Sequence, residues 1–140
     1  MTKNVKKVVV DTDVWVGLAN RNDAHHEACL AVMRKFEKEG VHLITSNYVF
    51  AETITVVSRL AGKEAAWKLA MKIRQAGTGL EYVWIDEELE GKALEHFKRQ
   101  TSKNVSLVDC SNMAVIEKWG ADGILSFDKA YRKNGFAMLT

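Results

Sequence analysis

Short apolar runs that alternate with segments of helical periodicity constrain the fold of this 140-residue chain more than any other feature. The run at 5–10 is rich in β-branched valine and ends at Asp11, which is typical of a strand buried on both faces. Similar runs lie at 41–44, 82–85, 123–127 and 137–139. Because strands that alternate with helices form a parallel sheet covered on both faces, this pattern predicts an α/β fold.

Helical periodicity marks the segments between these runs. The predicted helices span 25–39, 47–60, 63–75, 87–100 and 108–119, with a short helical turn at 129–133. Gly40, Gly62 and Gly120 follow three of them, as expected of helix ends, and Thr45 or Ser46 is suited to cap the second. In parallel sheets ligands gather at the carboxyl ends of the strands, so the residues that follow each strand are the first candidates for a site.

Length and composition predict a single domain that spans residues 1–140. Hydrophobic residues make up 47% and charged residues 27%, which is typical of a soluble globular protein. No apolar run approaches the roughly 18 residues that a membrane helix needs, and no signal peptide is evident, so no membrane association is expected. Cys29 and Cys110 lie far apart without zinc-like spacing, which favours a reducing cytoplasm over a disulfide framework. The net charge of +2 does not decide for or against nucleic acid.

Four acidic residues stand in apolar surroundings. Asp11 and Asp128 each follow an apolar strand directly, whereas Glu52 and Asp109 are each the only charged residue in a long uncharged stretch. Burying unpaired carboxylates is unfavourable, and each pair at ~5 Å would repel by about 3 kcal/mol at an effective dielectric of ~20. A divalent cation would remove this repulsion, and oxygen ligands suit Mg²⁺ or Mn²⁺ better than zinc.

Each acid also has a purely local explanation. Asp11 and Asp128 could cap the helical turns that follow them. Asp109 could complete a capping box with Ser106, and Glu52 could lie in a narrow polar stripe of its helix. All four local explanations would have to be true at once to account for these acids, so we favour a shared acidic cluster.

Four motifs lie in order along the whole chain: VVVDTDVW at 8–15, ITSNYVFAE at 44–52, SLVDC at 106–110 and ILSFD at 124–128. Together they resemble the motifs of PIN-domain ribonucleases, and most closely those of the prokaryotic group of virulence-associated protein C (VapC) toxins. The first and third are short and weak alone, but all four in sequence are specific.

The resemblance implies a three-layer α/β/α sandwich with a central parallel sheet. It implies a Mg²⁺- or Mn²⁺-dependent endoribonuclease that cleaves single-stranded or loop RNA, belongs to a toxin–antitoxin pair, forms a homodimer and is held inactive by a cognate antitoxin. Thr12 and Ser126 match small hydroxyl residues of the family and are candidates for substrate binding. The acids implied as catalytic residues and metal ligands are Asp11, Glu52, Asp109 and Asp128.

Two positions depart from the family pattern. Asp13 stands where many relatives carry Asn or Ser, so a fifth carboxylate either borders the site or caps a turn. Ala130 stands where relatives often have another Asp, which favours one metal over two.

An acidic pocket would repel RNA, so basic residues at its rim must supply the attraction. Arg132 and Lys133, just past Asp128, are the first candidates, followed by a less certain group: Lys129, Arg21 and Lys103. Trp15 is interpreted as a core or dimer-interface residue, and His25 and His26 as exposed residues at a helix start.

Two alternative functions remain open at this point. Asp11-Thr12-Asp13 after an apolar strand also resembles the start of haloacid-dehalogenase phosphatases, in which the first Asp is the nucleophile. That chemistry gives Glu52 no role. The other alternative is a catalytically silent PIN-like module that only binds a partner, against which the presence of all four acids weighs.

Overall fold

The computed structural model describes residues 6–77 and 79–139, and its centre is a four-stranded parallel sheet. The strands are β1 (Lys7–Val10), β2 (His42–Ser46), β3 (Leu80–Val83) and β4 (Gly123–Leu125), in the spatial order β3-β2-β1-β4. The helices in these residues are α1 (Thr12–Ala19), α2 (His26–Glu39), α3 (Asn47–Ala61), α4 (Lys63–Arg74), α5 (Glu87–Arg99), α6 (Leu107–Trp119) and α7 (Ala130–Lys133).

The central strand β1 is buried on both faces, as its apolar sequence predicts. Val8 and Val10 point into a core formed with α1, α2, α3 and α4. Val9 points the other way, into a second core formed with α5, α6 and α7. Successive side chains of a strand alternate between faces, so one short valine run joins both cores. The predicted three-layer α/β/α sandwich is thereby confirmed.

The strand order creates a switch point at the carboxyl end of β1. After β1 the chain moves to β2 and then β3 on one side, whereas β4 pairs with the opposite side of β1. Ligands of parallel sheets collect where the strand order reverses in this way. Asp11 leaves β1 and residues 126–128 leave β4 at this point, so the fold brings two of the candidate motifs together.

Some element boundaries differ from those predicted. The segment after Asp11 forms a complete helix, α1, and β4 ends at Leu125 because the next residues turn toward α1. The predicted strand at 137–139 is wrong: Met138 makes one isolated bridge to Ile124. The predicted first strand began at Val5, which lies outside the described residues. Within 6–77 and 79–139, no helix combines the length and apolar character needed to cross a membrane.

Gly123 allows the C-terminal segment to pack against β4, which generates a stability prediction. A Cβ atom at Gly123 would lie 2.5 Å from the carbonyl oxygen of Ala137, which accepts a hydrogen bond from the Ile124 amide. Because the obstacle is backbone, we expect Gly123→Ala to lower the free energy of unfolding by about 1–3 kcal/mol.

Urea unfolding measures this effect, and Gly91→Ala is the matched control. Gly91 is exposed in α5 with open space where a Cβ would stand, so alanine there should raise stability by about 0.5–1 kcal/mol. Equal stability of Gly123→Ala and the wild-type protein would contradict the packing described here.

Candidate active site

The structure places the four predicted acids around one open hollow of about 330 Å³ at the switch point of the sheet. Two further carboxylates, Asp13 and Asp23, also line it. The residues that line this acidic hollow are Asp11, Thr12, Asp13, Val16, Asp23, His25, Glu52, Val56, Asp109 and Asp128. In the described part of the chain this lining holds six carboxylates and neither a lysine nor an arginine.

Asp11 is the most constrained of these acids, because donors from four different elements converge on its carboxylate. Its Oδ1 accepts from the Thr12 amide at 2.8 Å and from Asn112 Nδ2 at 3.1 Å. Its Oδ2 accepts from Ser126 Oγ and from the Tyr131 hydroxyl, both at 2.9 Å. The side chain is therefore fixed in one orientation at the end of β1.

Burial and repulsion together raise the pKa of Asp11. The residue is only 5% exposed, and loss of water is the largest cause of the shift, followed by the charge of Asp13. The Thr12 and Ser126 hydrogen bonds oppose the shift, but they do not cancel it. The pKa of Asp11 is about 7, so near neutral pH the carboxylate carries a proton for part of the time.

Tyr131 links Asp11 to Asp109. Its hydroxyl lies 2.9 Å from Asp11 Oδ2 and 3.2 Å from Asp109 Oδ1, and it also accepts from Asn112 Nδ2. A phenol has one hydrogen and can donate to only one of the two acids at a time. Burial and the charges of both acids raise the pKa of Tyr131, so the hydroxyl keeps its proton.

Asn112 and Tyr131 were not among the predicted site residues. Asn112 lies three residues after Asp109 on α6, and Tyr131 lies three residues after Asp128. Residues three apart share one face of a helix, so the spacing from Asp109 was an available signal for Asn112. Asp128 precedes α7, so helical spacing gave no such signal for Tyr131.

Asp13 borders the site, which is the first of its two predicted roles, and it also binds the loop after β4. The turn after β1 is capped by Asp11 and not by Asp13. One carboxylate oxygen of Asp13 accepts from the Phe127 amide at 2.8 Å and lies 3.3 Å from Ser126 Oγ, whose single hydrogen is donated to the closer Asp11 Oδ2. The other oxygen is buried and has no hydrogen-bond partner among the described residues. Burial raises the pKa of Asp13 as well.

The predicted substrate contacts lie in different environments. Ser126 is fully buried, and its hydroxyl contacts Asp11 and Asp13, so here it positions acids instead of facing the hollow. Thr12 lines the hollow, and its hydroxyl has no partner among the described residues. Arg132 and Lys133 are exposed on α7, outside the lining of the acidic hollow.

The local explanations of three acids are correct, and they do not compete with the shared hollow. Asp109 forms the predicted capping box with Ser106 through Oδ2, which leaves Oδ1 directed at Tyr131. Asp128 Oδ1 accepts from the Ala130 amide at the start of α7, and Asp11 caps α1. Each cap anchors a carboxylate beside the hollow.

Glu52 and His25 complete the walls. Glu52 is half-buried and lines the hollow together with Val56, one turn further along α3. His25 is exposed at the start of α2, as predicted, but it also lines the hollow and stacks on Phe127 with ring centroids 3.9 Å apart.

The chemistry of this donor set fits a divalent cation. The donors are hard carboxylate oxygens. Among the described residues, one buried oxygen of Asp13 lacks a partner, and no lysine or arginine in the lining balances the excess negative charge. Within 6–77 and 79–139, however, no three acidic, histidine or cysteine side chains already form a group that could hold an ion. Binding would therefore require side-chain rotations around the fixed Asp11.

The raised pKa of Asp11 predicts a pH dependence of stability in the metal-free protein. Its value of about 7 lies above the ordinary 3.8, so the folded state binds the proton more tightly than the unfolded chain does. The tighter proton binding by folded Asp11 therefore contributes fully to the free energy of unfolding below pH 3.8, and this contribution is lost as the pH rises to about 7. Across this window we expect the stability of wild type to fall by on the order of 4 kcal/mol relative to Asp11→Asn.

Urea unfolding in EDTA at a series of pH values checks this prediction. Replacing the carboxyl group by an amide in Asp11→Asn also changes the stability by an amount that does not vary with pH. Only the pH dependence of the stability difference between wild type and variant is therefore informative. A stability difference that is independent of pH from 4 to 7 would show that Asp11 is not the buried, repelled carboxylate described here.

Comparison with known proteins gives evidence on the family of this chain. A model of the PIN domain matches residues 8–137. The 23S rRNA-specific endonuclease VapC20 of Mycobacterium tuberculosis is 32% identical over 129 residues, which cover 92% of this chain and 95% of that protein. A VapC ribonuclease of Archaeoglobus fulgidus is 29% identical over 125 residues, covering 88% of this chain and 78% of the relative.

The fold comparison leads to the same family. The crystal structure of Mycobacterium tuberculosis VapC20, a toxin that cleaves the sarcin-ricin loop, matches with a TM-score of 0.81 at 31% identity. The match covers 93% of this chain and 96% of that one. The resemblance carried by the four sequence motifs is thus confirmed over nearly the whole chain, which belongs to the PIN-domain family.

Proposed function

We propose that this protein is a divalent-metal-dependent endoribonuclease that hydrolyses RNA phosphodiester bonds and acts as the toxin of a toxin–antitoxin pair in the cytoplasm. One observation carries the proposal: Asp11, Glu52, Asp109 and Asp128 line one open hollow that contains no lining lysine or arginine in the described part of the chain. Similarity to the RNA endonuclease VapC20 supports RNA as the substrate.

We assign each acidic residue, and each residue that holds it in place, a role in this reaction. Asp11 and Asp109 would hold Mg²⁺ or Mn²⁺ most directly, while Glu52 and Asp128 would do so directly or through water. When bound, such an ion supplies an acidified water and positive charge beside the phosphate oxygens. Tyr131 and Asn112 keep Asp11 in place, and Asp13 supports the loop that carries Asp128.

Protons and cations would compete at Asp11. With a pKa of about 7, this carboxylate is increasingly protonated as the pH falls below neutrality. A protonated carboxyl group is a poor cation ligand, so a higher cation concentration would be needed at acidic pH.

The phosphatase alternative has less support. Haloacid-dehalogenase chemistry gives Glu52 no role, whereas Glu52 lines the same hollow as Asp11. A silent binding module would gain nothing from six carboxylates that repel one another in an open hollow.

Cleavage of purified 23S rRNA with and without EDTA tests the nuclease proposal. We expect Mg²⁺- or Mn²⁺-dependent cutting, lost by about 10²-fold or more in Asp11→Asn and Asp109→Asn, because each removes a ligand charge. Glu88→Gln, which neutralises an exposed acid on α5, is the control and should cut normally.

A thermal-shift titration with Mg²⁺ and Mn²⁺ separates loss of binding from loss of folding. The two Asn variants should fold but lose the metal-induced rise in Tm. Wild-type cutting rates in either variant, or full activity in EDTA, would show that the acids are structural.

We also propose two protein partners for such a toxin, a cognate antitoxin and a second copy of the chain. A groove of about 670 Å³ lies among α1, α2 and α4, lined by apolar side chains such as Leu18, Leu30 and Leu69 and bordered by three cations. Those cations are Arg21, Lys68 and Lys72. An acidic, apolar segment of a cognate antitoxin would complement this groove in shape and charge.

A homodimer is the second proposed assembly. Leu60 on α3 and Trp67 on α4 are 58% and 63% exposed, which is unusual for large apolar side chains. We expect light scattering to give twice the monomer mass and co-purification to recover the product of an adjacent short reading frame. A monomer, or no bound partner, would contradict the corresponding assembly.

A further inference from the structure

A second hollow adjoins the acidic one and has the opposite charge. It measures about 370 Å³ and is lined by the end of α5, the loop that follows it and the residues around α7. Asp128 lines both hollows and so forms part of the wall between them. We call the second one the basic hollow because its charged lining consists of Asp128 and three cations, Arg99, Lys129 and Lys133.

The basic hollow has a fixed frame. Gln100 Nε2 donates to Asn134 Oδ1 at 3.0 Å, and Asn134 Nδ2 donates to Gln100 Oε1 at 3.2 Å. Each amide nitrogen also donates to a backbone carbonyl, that of His96 or Ala130. An amide nitrogen has only two hydrogens, so these donors are fully used within the protein. The pair therefore ties α5 to α7, and its amide nitrogens have no hydrogen left to donate to a ligand.

The acidic hollow creates a need that the basic hollow can meet. An RNA strand placed over six carboxylates is repelled, even where a divalent cation balances part of the charge. The positive charge that attracts the strand must lie close to the cleaved bond, because exposed charges are screened beyond roughly 8–10 Å at physiological salt. The basic hollow shares the wall residue Asp128 with the acidic one, so the two hollows are adjacent.

We propose that the basic hollow binds the RNA backbone phosphate next to the cleaved one, through Arg99, Lys129 and Lys133. This inference rests on the proposed nuclease function and adds a subsite to it. Arg99 can present two parallel N–H groups to a phosphate, whereas the lysines act as point charges on the other side. A phosphate contact of this kind positions the strand and does not touch the reacting atoms.

The test uses the complete protein with Mg²⁺ and an RNA oligonucleotide that spans a cleavage site mapped on 23S rRNA with the wild-type enzyme. The variant is the triple substitution Arg99→Gln, Lys129→Gln and Lys133→Gln, whose three side chains are exposed and can be changed without disturbing the core. Lys98→Gln is the matched control, because Lys98 is an exposed cation beside Arg99 in the last turn of α5 but does not line the basic hollow.

We expect the triple variant to raise KM about tenfold or more and to leave kcat within about twofold, because it removes binding that is equal in ground and transition states. The slope of log KM against log salt should fall by about 0.7, the value for one phosphate of a single strand. Lys98→Gln should change neither quantity. Equal KM and equal salt slope in the triple variant and wild type would overturn the inference.

A neutral methylphosphonate placed in turn at each linkage that flanks the cleaved one locates the contact. At one of these linkages the methylphosphonate should raise the KM of the wild-type enzyme to that of the triple variant. It should leave the KM of the triple variant unchanged. If the two changes instead add independently at every linkage, the cations bind elsewhere and the inference is wrong. Failure of the nuclease proposal itself would look different, because wild type would then cut no RNA.

Discussion

The burial of the Asp11 carboxylate beside a hollow that no described lysine or arginine lines is the constraint on which this structure depends. A charged group in that position is tolerated only because four donors reach its oxygens. Those donors come from the start of α1, from α6, from α7 and from the turn after β4. One carboxylate therefore joins both helical layers to the centre of the sheet, and the packing of the molecule and the geometry of its site cannot be separated.

The helices contribute a second source of compensation. Asp11 caps α1, and Asp109 lies in the first turn of α6. Helix N-termini carry partial positive charge and unpaired amide groups, so a carboxylate there is stabilised. The chain thus uses the ends of α1 and α6 to hold like charges close together. From the sequence, local capping and convergence on one hollow are alternative explanations of the acidic residues. In the structure, the caps are what hold the carboxylates together at the hollow.

The sequence predicts the sheet and the acids well because both depend on local contrast. An isolated Glu52 or Asp109 in an uncharged stretch is visible without knowledge of the fold, and a valine run before Asp11 is visible as a buried strand. The family motifs then supply the order and the architecture. These predictions needed only neighbours in sequence.

The missed features depend on contacts between distant segments. Tyr131 resembles any buried aromatic residue of a short helix until its hydroxyl is seen between Asp11 and Asp109, which are 120 and 22 residues away along the chain. The segment at 137–139 has strand-like residues, but it reaches β4 through one bridge only. Arg99 lies in a charge-rich helix, and the amide pair between Gln100 and Asn134 holds the end of that helix beside α7.

In the proposed enzyme, the two hollows divide an electrostatic problem that neither could solve alone. A site that binds a divalent cation must be strongly negative, and a site that binds RNA must be positive, so the same surface cannot meet both demands at full strength. Burial is the largest cause of the raised pKa of Asp11 and the charge of Asp13 adds to it, so a more deeply buried or more crowded set of carboxylates would bind protons in place of cations. Positive charge inside the acidic hollow would pair with the ligands and displace the ion. It must therefore stand outside the ligand set yet within the screening distance, and Asp128 lies at the boundary where the two requirements meet.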